Sequence, residues 1–233
     1  MNLKPWARVA RLSARLSACL CLCLGSALSA HAQGDDRRFK ILQPDEMTPE
    51  QRALVQSIAS GPRASVPGSA ANSGGGTVGS PFNVFLRSPE LGEHLQRVGS
   101  YIRFKSSLGS RLNEFAILIT ARHWTSQYEW HAHHRLAMQA GLDPQVATAV
   151  AQGQRPAAMR PDEEAVYNFA TELLTTKKVA DGTYKAVFER FGERGVMDLI
   201  GVIGYYDLVA MVLNVDRTPV PAGVPAPLAP LTP

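Results

Sequence analysis

Ser126-Gln127-Tyr128-Glu129-Trp130-His131-Ala132-His133-His134-Arg135-Leu136-Ala137-Met138-Gln139-Ala140-Gly141 is the stretch on which the reading of this chain turns. It opens on a hydroxyl residue suited to a helix N-cap and closes on a glycine suited to a helix stop. Between them Trp130, Leu136, Ala137 and Ala140 give the segment an apolar side, so a helix over 126–140 is expected. Ser126, Glu129, His133 and Ala137 share one face of it, because spacings of three and four residues recur on one side. A carboxylate four residues before an imidazole can hold the ring and favour its protonated form. Such a pair moves protons near neutral pH. Two plainer readings stand beside this one. Ser126-x-x-Glu129 is also a capping box, and Glu129 with His133 is also a solvated surface pair.

Outward from this segment the chain reads as helix after helix. Upstream, a helix from about Ser110 carries Glu114 and an apolar side of Leu112, Phe115, Ala116, Ile119 and Thr120. Ser88-Pro89-Glu90 and Thr48-Pro49-Glu50-Gln51 are cap-proline-acid starts of two earlier helices. Downstream, Asp143-Pro144 and Pro161-Asp162-Glu163-Glu164 open two more. A helix from Asp181 to Phe191 is stopped by Gly192, and the strongly apolar run from Val196 to Leu213 follows. That last run is either a central core helix or a subunit interface, with Gly201 and Gly204 permitting close contact. No strand pattern competes, so the expected fold is one all-α domain of about seven or eight helices over residues 45–218. Residues 61–81, rich in Gly, Ser, Ala and Pro and including Gly74-Gly75-Gly76, read as a flexible loop that buries no core. Residues 219–233 hold six prolines and read as an extended, unpacked arm.

The N-terminus has a separate character. Lys4, Arg8, Arg11 and Arg15, a short apolar run at 18–24 and the small-x-small pattern Ala30-His31-Ala32 read as a cleavable signal peptide over 1–32. A polar, mobile lead-in at 33–44 follows. The expected location is therefore periplasmic or secreted, with no membrane attachment after cleavage. Leu16-Ser17-Ala18-Cys19 resembles a lipid-attachment box, but its apolar run follows the cysteine instead of preceding it. The formal charge of +4 belongs wholly to the leader, since 20 basic and 20 acidic residues remain without it. Nothing in that balance points to nucleic acid. Cys19, Cys21 and Cys23 also fall in the leader, so the processed chain has no disulfide, thiolate ligand or thiol nucleophile.

Five histidines lie beyond the leader, and His123, His131, His133 and His134 cluster. His131 and His134 lie on a different helix side from Glu129 and His133, and no His-Glu-x-x-His motif is present, so no metal site is expected. Glu114 through Gly141 resembles the carboxymuconolactone decarboxylase family, whose relatives include the AhpD-like alkylhydroperoxidases. The family pattern is a glutamate, a position often cysteine twelve residues on, a second such position three further, and a histidine four beyond. Here these are Glu114, Ser126, Glu129 and His133. Arg87-Ser88-Pro89-Glu90-Leu91, Ala140-Gly141-Leu142 and Leu199-Ile200-Gly201-Val202-Ile203-Gly204-Tyr205-Tyr206 extend the resemblance across roughly residues 45–218.

The resemblance implies an AhpD-like helical domain that assembles through apolar helices as a trimer or hexamer. Peroxidase relatives act through a Cys-x-x-Cys pair, and Ser126 and Glu129 cannot replace it. The decarboxylase-like branch uses acid–base residues and no cofactor, and its implied substrate is a small unsaturated lactone or ring acid. On that basis His133 transfers the proton, polarised by Glu129 and by Glu114, and Ser126 hydrogen-bonds the lactone or developing anion. Arg122 is the candidate for a substrate carboxylate, a surface arginine being its plainer reading, and Tyr128 and Trp130 line the pocket, ordinary core packing being the plainer reading of Trp130. The competing expectation is a non-catalytic oligomeric protein that binds a small ligand on the same scaffold.

Overall fold

The computed structural model describes residues 36–231, and the leader read from the sequence lies outside them. Eight α-helices and no strand occur among the described residues. They are α1 (Pro49–Ala59), α2 (Phe82–Phe85), α3 (Pro89–Lys105), α4 (Gly109–His123), α5 (Gln127–Gln139), α6 (Pro144–Ala151), α7 (Pro161–Thr176) and α8 (Asp181–Asp216). The starts follow the cap-proline logic: Thr48 and Gln51 form a reciprocal capping box on α1, and Asp143 accepts from the Gln145 N–H on α6.

Helix α4 is the axis of the core. Every residue from Leu112 to Arg122 is buried, including Phe115, Ile117 and Leu118 at zero exposure. A helix that is apolar nearly all round must be covered nearly all round. Here α5, α6, α7, α8 and α3 pack against it. α8 breaks at Gly192, whose positive φ of 65° with ψ of −175° suits a residue without a Cβ. Beyond the break, Leu199, Val202, Tyr206, Val209 and Leu213 face the core, while Met197, Ile200, Met211 and Val215 stay exposed. α8 is long and apolar enough to cross a membrane, yet 56% of its most apolar window is buried against protein.

Three segments expected to lie outside the packed body are part of it. Ala71 and Val78, from the supposed core-free loop at 61–81, are buried with Ile58, Phe82 and Leu86 in a second apolar cluster. The loop also bonds to itself, Gly79 N–H to the Ala70 carbonyl at 2.8 Å and Ser73 N–H to Thr77 at 3.2 Å. Small side chains forbid a periodic pattern but allow close backbone approach, which composition does not reveal. The proline-rich arm, expected to be unpacked, buries Leu228 in the main core. The Gln127 amide brackets that residue, donating to its carbonyl at 2.7 Å and accepting from its N–H at 2.9 Å. The lead-in is tied down as well, through Phe39 N–H to Asp216 and Leu42 N–H to Asn83, both at 3.1 Å.

Candidate active site

The turn between α4 and α5 builds the site. Thr125 N–H bonds back to the Arg122 carbonyl and Ser126 N–H to Ala121, closing α4 and reversing the chain within three residues. Thr125 adopts φ 47°, a left-handed conformation that a β-branched residue rarely takes. The reversal folds α5 across α4, so a side chain from each helix meets its counterpart. His133 Nδ1 and Glu114 Oε2 are 2.7 Å apart, and both residues are more than nine-tenths buried. The Tyr206 ring stands edge-on to the imidazole at 4.9 Å, and Tyr205 stands edge-on to Tyr206 at 5.2 Å.

This arrangement corrects the expected pairing. Glu129 does not bond His133, and neither of its oxygens has a hydrogen-bond partner. Spacing along one helix ranks neighbours on that helix alone, and here the partner comes from α4. Glu129 is fully buried, and burial, with Asp207 adding negative charge nearby, raises its pKa well above the ordinary carboxyl value. It is therefore an un-ionised acid over a pH range where most carboxyls are charged. The capping box is also absent: Ser126 makes no side-chain cap bond, and its buried Oγ is unpartnered.

One cavity of about 590 Å³ is walled by Glu129, His133, Tyr128 and His131 of α5, by Tyr205 and Tyr206 of α8, and by much of the 61–81 segment. His133 and Glu129 therefore face one space, with Glu114 behind the imidazole. Tyr128 lines it as expected. His131, set aside on helical phase, lines it too, because a wide cavity spans more than one helix face. Three expected contacts are not made. Ser126 opens instead on a smaller cavity of about 260 Å³ with Thr125, Asn214 and Arg217. Trp130 packs in the core and stacks on His134 at 6.0 Å between ring centroids. Arg122 does not line the large cavity and gives its Nη1 to the Ala229 carbonyl of the C-terminal arm at 2.8 Å.

The sequence reading missed Arg63, Arg103 and the two tyrosines as cavity residues. Arg63 had no periodic context to mark it, and the tyrosines lay in an apolar run that reads as core. Burial holds both phenols in their protonated form. Tyr205 is pushed up to about 12 by burial, against the lowering effect of Arg63, and Tyr206 is raised well above its ordinary value. They are hydrogen-bond donors on the cavity wall.

No protein-family model matches the chain, and no curated protein matches it in sequence. Among solved structures it is similar to a protein of unknown function from Agrobacterium tumefaciens, described as a candidate antioxidant defence protein AhpD. The TM-score is 0.54 at 15% identity, over 60% of this chain and 97% of the other. The likeness is one of fold: the chain has an AhpD-like helical fold.

Proposed function

We propose that this protein is a cofactor-independent enzyme that acts by proton transfer on a small unsaturated lactone or ring carboxylic acid. The observation that carries the reading is the buried Glu114–His133 pair, whose imidazole shares one cavity wall with Glu129, a carboxyl whose pKa burial raises. An imidazole and a buried carboxyl with a raised pKa on one cavity wall can serve as base and acid. With Glu114 accepting from Nδ1–H, the Nε2 lone pair of His133 is left as the base. Glu129 and the Tyr205 and Tyr206 hydroxyls supply donors for charge that develops on a substrate oxygen.

In a decarboxylation, the bond between the ring carbon and its carboxylate breaks, carbon dioxide leaves, and the electron pair spreads into the conjugated lactone as a dienolate. One proton, delivered by Glu129 or by His133 once its Nε2 has taken it from solvent, then restores the carbon. Lactone opening and isomerisation draw on the same groups. Beyond the leader the chain has no cysteine, so thiol chemistry has no residue to act through. Export by the leader and self-association through apolar helices belong to the same proposal.

The test is turnover of a panel of unsaturated lactones and oxo acids with product identification. His133→Ala is expected to abolish turnover, a loss of about a hundredfold or more, while keeping the helical circular dichroism of the parent. Retained turnover removes His133 from the mechanism. Ligand binding with no product over hours supports the non-catalytic reading instead.

A further inference from the structure

We propose that Arg63 is the anion anchor of the cavity, taking the carboxylate of a small unsaturated acid whose ring lies along Tyr205 and Tyr206 toward His133. The acid–base chemistry rests on the reading above, but the anchor is a binding claim with its own test.

Arg63 sits in a short 3-10 turn, Pro62–Ser65, within the segment that composition alone marks as loop. It is 4% exposed, lines the cavity, and forms no ion pair among the described residues. Its Nη1 donates to the Gln96 side-chain Oε1 at 3.4 Å, and its Nη2 has no partner. The guanidinium also lies over the Phe82 ring at 5.3 Å, which orients it without neutralising it. Glu93, close to Gln96, is already engaged by Arg97 at 2.6 Å. A buried cation with an unpartnered donor is costly unless an anion reaches the guanidinium. A planar fork of N–H groups fits a carboxylate in particular.

The rest of the cavity has the same polarity. Arg103 lines it and forms no ion pair among the described residues. Of the carboxyl groups nearby, Glu114 is bonded to His133 and Glu129 makes no bond to either arginine. None of them is hydrogen-bonded or ion-paired to Arg63 or Arg103 among the described residues.

Placement follows from packing. A Cβ at Gly99 would fall 2.3 Å from the Tyr205 hydroxyl and 2.6 Å from Arg63 Nη2, so these two groups meet over the same bare patch of α3. Tyr205 contacts Tyr206, and Tyr206 contacts His133. Anchor and base are thus joined by a continuous run of edge-to-face aromatic contacts along the cavity wall. The wall holding Arg63 is fixed by Arg135 Nη2, which donates to the Pro67 carbonyl at 2.9 Å.

The experiment is calorimetric titration of the purified full chain with 2-furoate, and with neutral 2-furamide as control. The parent is expected to bind furoate and to prefer it to furamide by at least about tenfold. Arg63→Gln is expected to lose about tenfold to a hundredfold in furoate affinity with furamide unchanged. Arg63→Lys, which keeps the charge, falls between the two. The ligand-free Arg63→Gln protein should melt no lower than the parent, because an uncompensated buried charge has gone. Furoate affinity that survives Arg63→Gln, a parent that does not bind furoate or does not discriminate, or a lower ligand-free melting temperature in Arg63→Gln overturns the anchor. His133→Ala should still bind furoate. Bound furoate with no turnover of any lactone acid would sink the acid–base reading and leave the anchor standing.

Discussion

Glu129 has an uncommon status for a carboxyl residue, since it is wholly buried and unpaired. The unfolded chain releases its proton near the ordinary value of 4.5, whereas the folded chain keeps it well above that. Within this window the folded state binds more protons than the unfolded one, so stability falls as pH rises. Glu129→Gln keeps the shape and removes the titration. Its thermal melts should therefore gain on the parent above pH 4.5, by about 1.4 kcal/mol per pH unit across the window. Parallel curves for the two proteins would place an ionised Glu129 in the fold. The sequence named Glu114, Glu129 and His133 as a set; the contact of His133 with Glu114 is made and the one with Glu129 is not. Helical spacing orders residues on one helix, and the bond that matters runs between α4 and α5.

Among the elements, the C-terminal arm departs furthest from its sequence character. Six prolines imply no helix and few backbone donors, and no helix forms over the described residues 219–231. What composition omits is that one apolar side chain, Leu228, enters the core, while Gln127 and Arg122 supply polar partners for its backbone neighbours. Leu228→Ala should cost about 2–5 kcal/mol, read from urea unfolding. A cost below about 0.5 kcal/mol would mean that the arm does not hold this position. Arg122 belongs to this story as well: its substitution should loosen the arm more than it alters turnover. The helices themselves were far more legible, because caps, prolines and 3.6-residue periodicity are local signals. The loop at 61–81 was not, since its buried residues are isolated and its working residue, Arg63, is a lone arginine among glycines and serines.

At the scale of the whole molecule, α3 and α8 present Leu91, Val98, Tyr101, Met197 and Ile200 to solvent, an apolar surface on two helices that pack together. Self-association over this face would cover it, in keeping with the interface reading of the Val196–Leu213 run. Sedimentation velocity should then find an oligomer for the parent and a smaller species for Met197→Glu, and a monomeric parent would refute that association. The AhpD-like architecture was readable from the order of helices and from the Glu114, Ser126, Glu129, His133 register, but the site faces a cavity assembled from five separate stretches of chain. The central claim is that this cavity moves protons to and from carbon. Its most direct test is to incubate the protein with a small unsaturated lactone acid in deuterium oxide and follow carbon-bound deuterium by NMR. The expected result is one deuterium at the carbon that loses its carboxylate or proton, at a rate that collapses in His133→Ala. Incorporation at the same rate in both proteins, or none for any acid in the panel, would contradict it.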